Sequence, residues 1–244
     1  MTRQDIKIQT EDGLARAGLF MPDGAPKAGI IVFMDIHGPR LALDQMAERL
    51  ASSGYAVLVP DLFYRFGDYE QFDPKTAMVE EATRNTLKGR LGETSQEMTV
   101  RDTKAFLDAL SGQGVDGRAG IVGYCMGGAR ALNAAAAYPE RVAAAASFHG
   151  GGLASDASDS PHRAAALLKN VRVYVGAAGV DGSFPPEQAG LLARALREAE
   201  VDYVIENYVG VEHGWCVPDS RVHDPAGAER HWKRLIAFFG EALG

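Results

Sequence analysis

Apolar runs of strand length alternate with amphipathic stretches of helix length along this chain. That alternation predicts an α/β fold, a mostly parallel sheet of about eight strands covered by helices on both faces. The strand candidates are residues 6–9, 14–21, 29–34, 56–60, 120–124, 143–148, 171–176 and 203–208, the first two reading as an antiparallel edge. Stripes at i, i+3, i+4, i+7 spacing predict helices with core-facing sides. They are Leu43, Met46, Ala47, Leu50; Leu192, Ala195, Leu196, Ala199; and Trp232, Leu235, Ile236, Phe239. Between residues 64 and 94 the pattern weakens into Gly, Pro and charge, which reads as an excursion beside a site with a short helix near 76–82. Residues 150–161, rich in Gly, Ser and Asp, follow a strand and read as loop placed to rim a cleft.

Composition narrows the picture mainly by exclusion. A chain of 244 residues, 46% hydrophobic and 23% charged, is expected to form one soluble domain spanning residues 1–244. Acids outnumber Lys plus Arg 32 to 25, a net charge of −7, and no basic stripe forms, so nucleic acid is not an expected partner. Residues 1–10 are polar, and apolar runs such as 28–34 and 142–148 are too short to span a bilayer, so the expectation is a cytoplasmic protein without a membrane partner. Two cysteines make no disulfide framework, and each has to be judged by its neighbours.

Cys125 has telling neighbours. The segment Gly120-Ile-Val-Gly-Tyr-Cys-Met-Gly-Gly-Ala-Arg-Ala-Leu sets it between an apolar strand and an Ala-rich helix. A nucleophile on so sharp a turn takes a strained backbone, and Gly123 and Gly127 leave room for strand and helix to close around it. The helix N-terminus then directs free amides at the sulfur, favouring thiolate and offering the Met126 N–H to a developing oxyanion. Structural burial is the commoner fate of cysteine. The complete Gly-x-Cys-x-Gly-Gly pattern in a strand-turn-helix setting nevertheless favours a nucleophile elbow and an α/β-hydrolase fold. A phosphate loop is set aside because no Gly-Lys-Ser or Gly-Lys-Thr follows.

In this fold the order is nucleophile, acid, base, so the base belongs in a loop after the last strand. His213, in Glu-His-Gly-Trp-Cys, has that position and few packing reasons to be there. His37 and His149 precede the acid and break the order, while His162, His223 and His231 lie in polar stretches or on a helix and read as solvated surface. Asp181, in the loop after strand 171–176, is the acid candidate that would hold the imidazole tautomer, although Asp-Gly is also an ordinary turn. The second oxyanion amide is assigned to Ile36, in the loop after strand 29–34. Asp35 beside it, a carboxylate ending a buried strand, is either a loop cap or a member of the site, and the latter is favoured.

With these residues in place the chain resembles the dienelactone hydrolase family, carboxymethylenebutenolidases and their relatives, over nearly its whole length. The likeness rests on Gly-Tyr-Cys125-Met-Gly-Gly, Pro60-Asp-Leu-Phe, Asp181 followed by Phe-Pro-Pro, and Glu-His213-Gly. It implies a Cys-His-Asp hydrolase that opens lactones or cleaves small esters through an acyl-enzyme, without cofactor. No metal is expected either, because the sequence has no His-Glu-x-x-His helix and no paired Cys or His spacing. Asp35 stands where dienelactone-cleaving members carry a thiol-activating Glu, one methylene longer. Of the two arginines that hold the substrate carboxylate in the family, Arg65 matches the first, whereas the second position is Val217, with Arg40 as a replacement. Tyr64 and Trp215, adjoining these positions, complete the substrate-binding candidates.

Three alternatives stay open at this stage. A broader esterase, thioesterase or phosphotriester hydrolase would use the same site. A thiol redox sensor would pair Cys125 with Cys216, although the Cys-x-x-Cys spacing is absent. A silent binding module on a hydrolase fold is the third. A monomer or small homo-oligomer acting on a small molecule is the expected assembly.

Overall fold

A computed structural model describes residues 3–115 and 117–244; Met1 and Thr2, part of the polar start noted above, lie outside the described residues. Among the described residues eight strands form one sheet: β1 (Gln4–Thr10), β2 (Gly13–Phe20), β3 (Gly29–Phe33), β4 (Ala56–Pro60), β5 (Ala119–Tyr124), β6 (Val142–Phe148), β7 (Arg172–Val180) and β8 (Tyr203–Glu212). Their spatial order is β1-β2-β4-β3-β5-β6-β7-β8. β1 pairs antiparallel with β2 and β2 antiparallel with β4, while every pairing from β4 to β8 is parallel. This is the α/β-hydrolase fold.

The burial of each strand follows from its place in the sheet. β3, β4 and β5 are buried at every residue, as near-continuous apolar runs must be when helices cover both faces. Edge strands β1 and β8 keep many exposed positions. The helices are α1 (Leu41–Ser52), α2 (Glu81–Glu93), α3 (Gln96–Ser111), α4 (Met126–Ala137), α5 (Pro186–Glu198) and α6 (Pro225–Leu243). The Arg49 guanidinium lies 4.7 Å over the Trp232 ring, joining α1 to α6, and α3 packs on α4. No helix among the described residues is long and apolar enough to cross a membrane.

Two helices differ from the sequence reading. The short helix expected at 76–82 is a run of turns, and the helix of this region is α2, starting at Glu81. Only Leu87 of α2 is buried, so it carries no apolar stripe to betray it. α3 did carry a signal. Ser95 caps it by accepting from the Met98 N–H at 3.1 Å, and Phe106, Leu107 and Leu110 form its buried side.

The chain leaves β3 for β4 on one side and returns to β5 on the other. A crevice opens at the carboxyl ends of strands where such an order reverses. The ends of β3 and β5 deliver Asp35 and Cys125 there, and the ends of β6, β7 and β8 deliver His149, Asp181 and His213.

Candidate active site

Cys125 is the N-cap of α4 with φ 55° and ψ −118°, a conformation that costs a non-glycine residue about 1–3 kcal/mol. Its surroundings enforce that turn. The Cys125 N–H donates to the Phe148 carbonyl at 3.1 Å and to His149 Nδ1 at 3.1 Å, tying the elbow to the end of β6. A Cβ on Gly123 would stand 1.8 Å from the Gly127 carbonyl oxygen, and one on Gly127 2.5 Å from that of Phe33. Only glycine lets strand and helix approach this closely.

Asp181 and His213 meet across the ends of β7 and β8. His213 Nδ1 lies 2.8 Å from Asp181 Oδ2, and Asp181 Oδ1 accepts from the Ser183 N–H at 2.8 Å and its hydroxyl at 2.6 Å. Burial would raise the Asp181 pKa, but His213 and Ser183 outweigh it and hold the carboxyl below its ordinary value. Burial likewise opposes charge on His213, but Asp181 and Cys125 together push its pKa up to about 10. The imidazolium is thus the stable form at neutral pH, held between a carboxylate and the thiol.

The cleft around these groups has a volume of about 560 Å³, and its walls include Cys125, His213, Ile36, Met126, Asp35 and Met78. The amides of Ile36, in the loop after β3, and of Met126, the first residue of α4, donate to no backbone carbonyl among the described residues. No group of three or more His, Cys, Asp or Glu among the described residues is arranged to hold a metal ion.

Several expected binding residues are engaged elsewhere. Arg65 does not line the cleft; it pairs with Asp102 of α3 at 2.8 Å and with Asp12 of the β1–β2 turn at 2.6 Å. Asp102 is almost fully buried and needs a cation, which removes Arg65 from substrate. Tyr64 goes with it, its hydroxyl 2.6 Å from that of Thr10 and 3.1 Å from Asp102. Trp215 is core, 0% exposed, its ring 4.7 Å from that of Tyr208. Arg40 lines the cleft but has no donor to spare. Its guanidinium makes paired bonds to Asp35 and to Asp219, all between 2.7 and 2.9 Å, and a bond to the Gly38 carbonyl at 3.0 Å. Asp35 in turn also accepts from the His37 N–H at 2.9 Å, which shapes the loop carrying Ile36. Among the described residues no hydrogen bond joins Asp35 to Cys125.

Other side chains enter the site without having been singled out. His149 has a positive φ of 40°, lines the cleft, and stacks edge-on to His213 with ring centroids 4.9 Å apart. Burial, then the neighbouring His213 and His231, hold it neutral, and since Nδ1 accepts from Cys125 its proton sits on Nε2. Its place at the end of the strand beside the elbow was the available signal, hidden by reliance on triad order. His231, expected at the surface, is fully buried beneath the elbow at 3.0 Å from the Tyr124 hydroxyl. His162 and His223 are part-exposed. Arg130 and Gln96 also line the cleft, Arg130 as the one charge on an Ala-rich helix. Cys216 is a free, buried thiol whose pKa burial pushes up, and it is absent from the cleft wall.

Comparison with known proteins shows the family and the fold. The model of the dienelactone hydrolase family matches residues 15–243. A carboxymethylenebutenolidase homolog of Rattus norvegicus is 31% identical over 196 residues, 80% of this chain and 72% of the relative. Carboxymethylenebutenolidase of Rhodococcus opacus is 28% identical over 88% of this chain and 81% of the relative. Among solved structures, a dienelactone hydrolase-like promiscuous phosphotriesterase from metagenomic libraries superposes with a TM-score of 0.80 at 24% identity, covering 100% of this chain and 99% of that one.

Proposed function

Because the chain belongs to the dienelactone hydrolase family and is a hydrolase acting on ester bonds, we propose that it cleaves small esters or lactones with Cys125 as nucleophile, His213 as acid and base, and Asp181 as the orienting carboxylate. One observation carries the reading. His213, held by Asp181 at 2.8 Å, lines the same cleft as the strained elbow of Cys125, although the three residues come from three separate strand ends.

The thiolate of Cys125 attacks the ester carbonyl, forming a C–S bond and a tetrahedral oxyanion received by the Ile36 and Met126 amides. Collapse breaks the C–O bond, and the His213 imidazolium gives its proton to the departing oxygen. The thioester remains on Cys125. Neutral His213 then takes a proton from water as it attacks the thioester, and the second tetrahedral species expels the thiolate and releases the acid. Asp181 keeps the Nδ1 proton in place throughout, so that Nε2 handles the transfers. No step calls for a metal or cofactor.

Mixing the protein with p-nitrophenyl acetate while following nitrophenolate release and intact mass tests this. Wild type is expected to carry an acetyl adduct mapping to Cys125, and Cys125→Ala to lose turnover by roughly 10⁴-fold or down to background. Undiminished turnover in Cys125→Ala would overturn the assignment.

A further inference from the structure

His149 follows directly on β6 and reaches the structures that carry Cys125, Asp181 and His213. Its Nδ1 accepts from the Cys125 N–H at 3.1 Å, and its ring stands edge-on to that of His213, with centroids 4.9 Å apart and planes at 64°. Its own N–H donates to the Gly176 carbonyl at 2.9 Å, on the strand that leads to Asp181. The buried rings of Trp215, at 5.4 Å, and Tyr124, at 6.0 Å, stand behind it. A residue 1% exposed and backed in this way holds its ring in one place.

Keeping an imidazole here is costly. The backbone holds φ 40°, and Nε2, which carries the proton, is buried with no partner among the described residues. A phenyl ring would fill the space without stranding a donor, but it could not accept the Cys125 N–H. That amide needs no second acceptor for its own sake, because it already donates to the Phe148 carbonyl at 3.1 Å. The Nδ1 bond therefore acts on geometry, pinning the other strained residue of the site, Cys125 at φ 55°, from which the sulfur projects. His213 needs a wall for a different reason. Its side chain is 32% exposed on a loop, and Asp181 and the Ser183 hydroxyl both hold it at Nδ1, at 2.8 and 3.1 Å. Two bonds at one corner leave the ring free to turn about that corner, which carries Nε2 away from the sulfur. The His149 ring bounds that turn, and it does so uncharged, since burial and then His213 and His231 keep it neutral.

We propose that His149 is a positioning residue of the hydrolytic site: it fixes the Cys125 elbow through Nδ1 and bounds the His213 ring, so that sulfur and imidazolium are aligned before substrate arrives. This rests on the Cys125 hydrolase reading, and a labelling measurement that needs no turnover keeps the two ideas separable.

Iodoacetamide labelling of Cys125, read by peptide mass, reports how far His213 holds the sulfur as thiolate, and the buried Cys216 is told apart by its own peptide. Three variants divide the two contacts. His149→Gly takes up φ 40° without strain and loses both; His149→Asn tolerates positive φ and sets Oδ1 where Nδ1 stood; His149→Phe keeps the ring alone. The ratio of the labelling rate at about pH 6 to that at about pH 9 is expected to fall about 10-fold in His149→Gly, with the Asn and Phe variants between it and wild type. An unchanged ratio in His149→Gly overturns the proposal, as does an Asn variant no better than Gly. With p-nitrophenyl acetate, His149→Gly is expected to lose about 100-fold in kcat with KM within about threefold of wild type. A loss carried by KM would make His149 a substrate contact and overturn the positioning role. Urea midpoints read the fold separately: a labelling ratio that merely tracked the midpoint across the variants would make His149 a core residue and overturn the role as well. An unchanged labelling ratio with the wild-type acetyl adduct present would sink His149 alone, whereas a missing adduct in wild type would sink the nucleophile.

Discussion

Arg65 and Arg130 are both largely buried guanidinium groups, and they occupy opposite kinds of surroundings. Around Arg65, in the corner between the β1–β2 turn and α3, charge is matched: Asp12 and Asp102 take its donors, and the Tyr64 hydroxyl bridges Asp102 to Thr10. Around Arg130, at the carboxyl ends of the strands, polar atoms are left over on Arg130, Gln96 and His149, and two non-glycine residues, Cys125 and His149, hold positive φ. A closed network of this sort holds a fold together. An open one, costly to bury, is what a binding or reacting partner can complete.

The contrast can be broken at its strongest point, the Asp181–His213 ion pair of the open region. Asp181→Asn is expected to lower kcat for p-nitrophenyl acetate by about 10³- to 10⁴-fold, because the wrong imidazole tautomer is then favoured. Its urea midpoint is expected to move little. A modest kcat loss with a large fall in stability would reassign Asp181 to the structural kind.

Arg65→Met is the mirror experiment. Losing its cation leaves Asp102, whose side chain is 1% exposed, unpaired in the core. Unfolding in urea is expected to show a loss of about 3 kcal/mol, with kcat/KM for p-nitrophenyl acetate within about twofold of wild type. A selective loss against charged esters would return Arg65 to the substrate.

A smaller effect sharpens the comparison through pH. His213 is raised from 6.5 to about 10 in the folded protein, so the stability it contributes is complete below pH 6.5 and is lost as pH rises toward 10. Thermal melting of wild type is expected to decline across that window, and His213→Asn to flatten the decline. Because Cys125 is one cause of the shift, Cys125→Ala should narrow the window from its upper end. Arg65→Met, which leaves His213 untouched, should keep the wild-type slope.

Much of the site was legible in the chain because its signals are local or ordinal. The glycines around Cys125 mark a turn whose close approach no other residue tolerates, and the order Cys125, Asp181, His213 follows strand ends that apolar runs already marked. Polar partners were not legible. Arg65 was matched to a substrate-binding position by its sequence context, yet Asp102, 37 residues later, claims it. Trp215 adjoins the site in sequence and points into the core. His231 on α6 was read as surface and lies under the elbow. The polar helix α2 escaped because it lends Lys88 and Leu91 to the cleft wall without burying a stripe.

The sequence by itself therefore determined the succession of strands along the chain, the mostly parallel sheet, the elbow at Cys125 and the family to which these belong, since apolar periodicity and glycine placement act over a few residues. Only the tertiary structure decided which arginine is satisfied and which is vacant. A buried charge takes its meaning from the groups packed around it, and those arrive from distant parts of the chain.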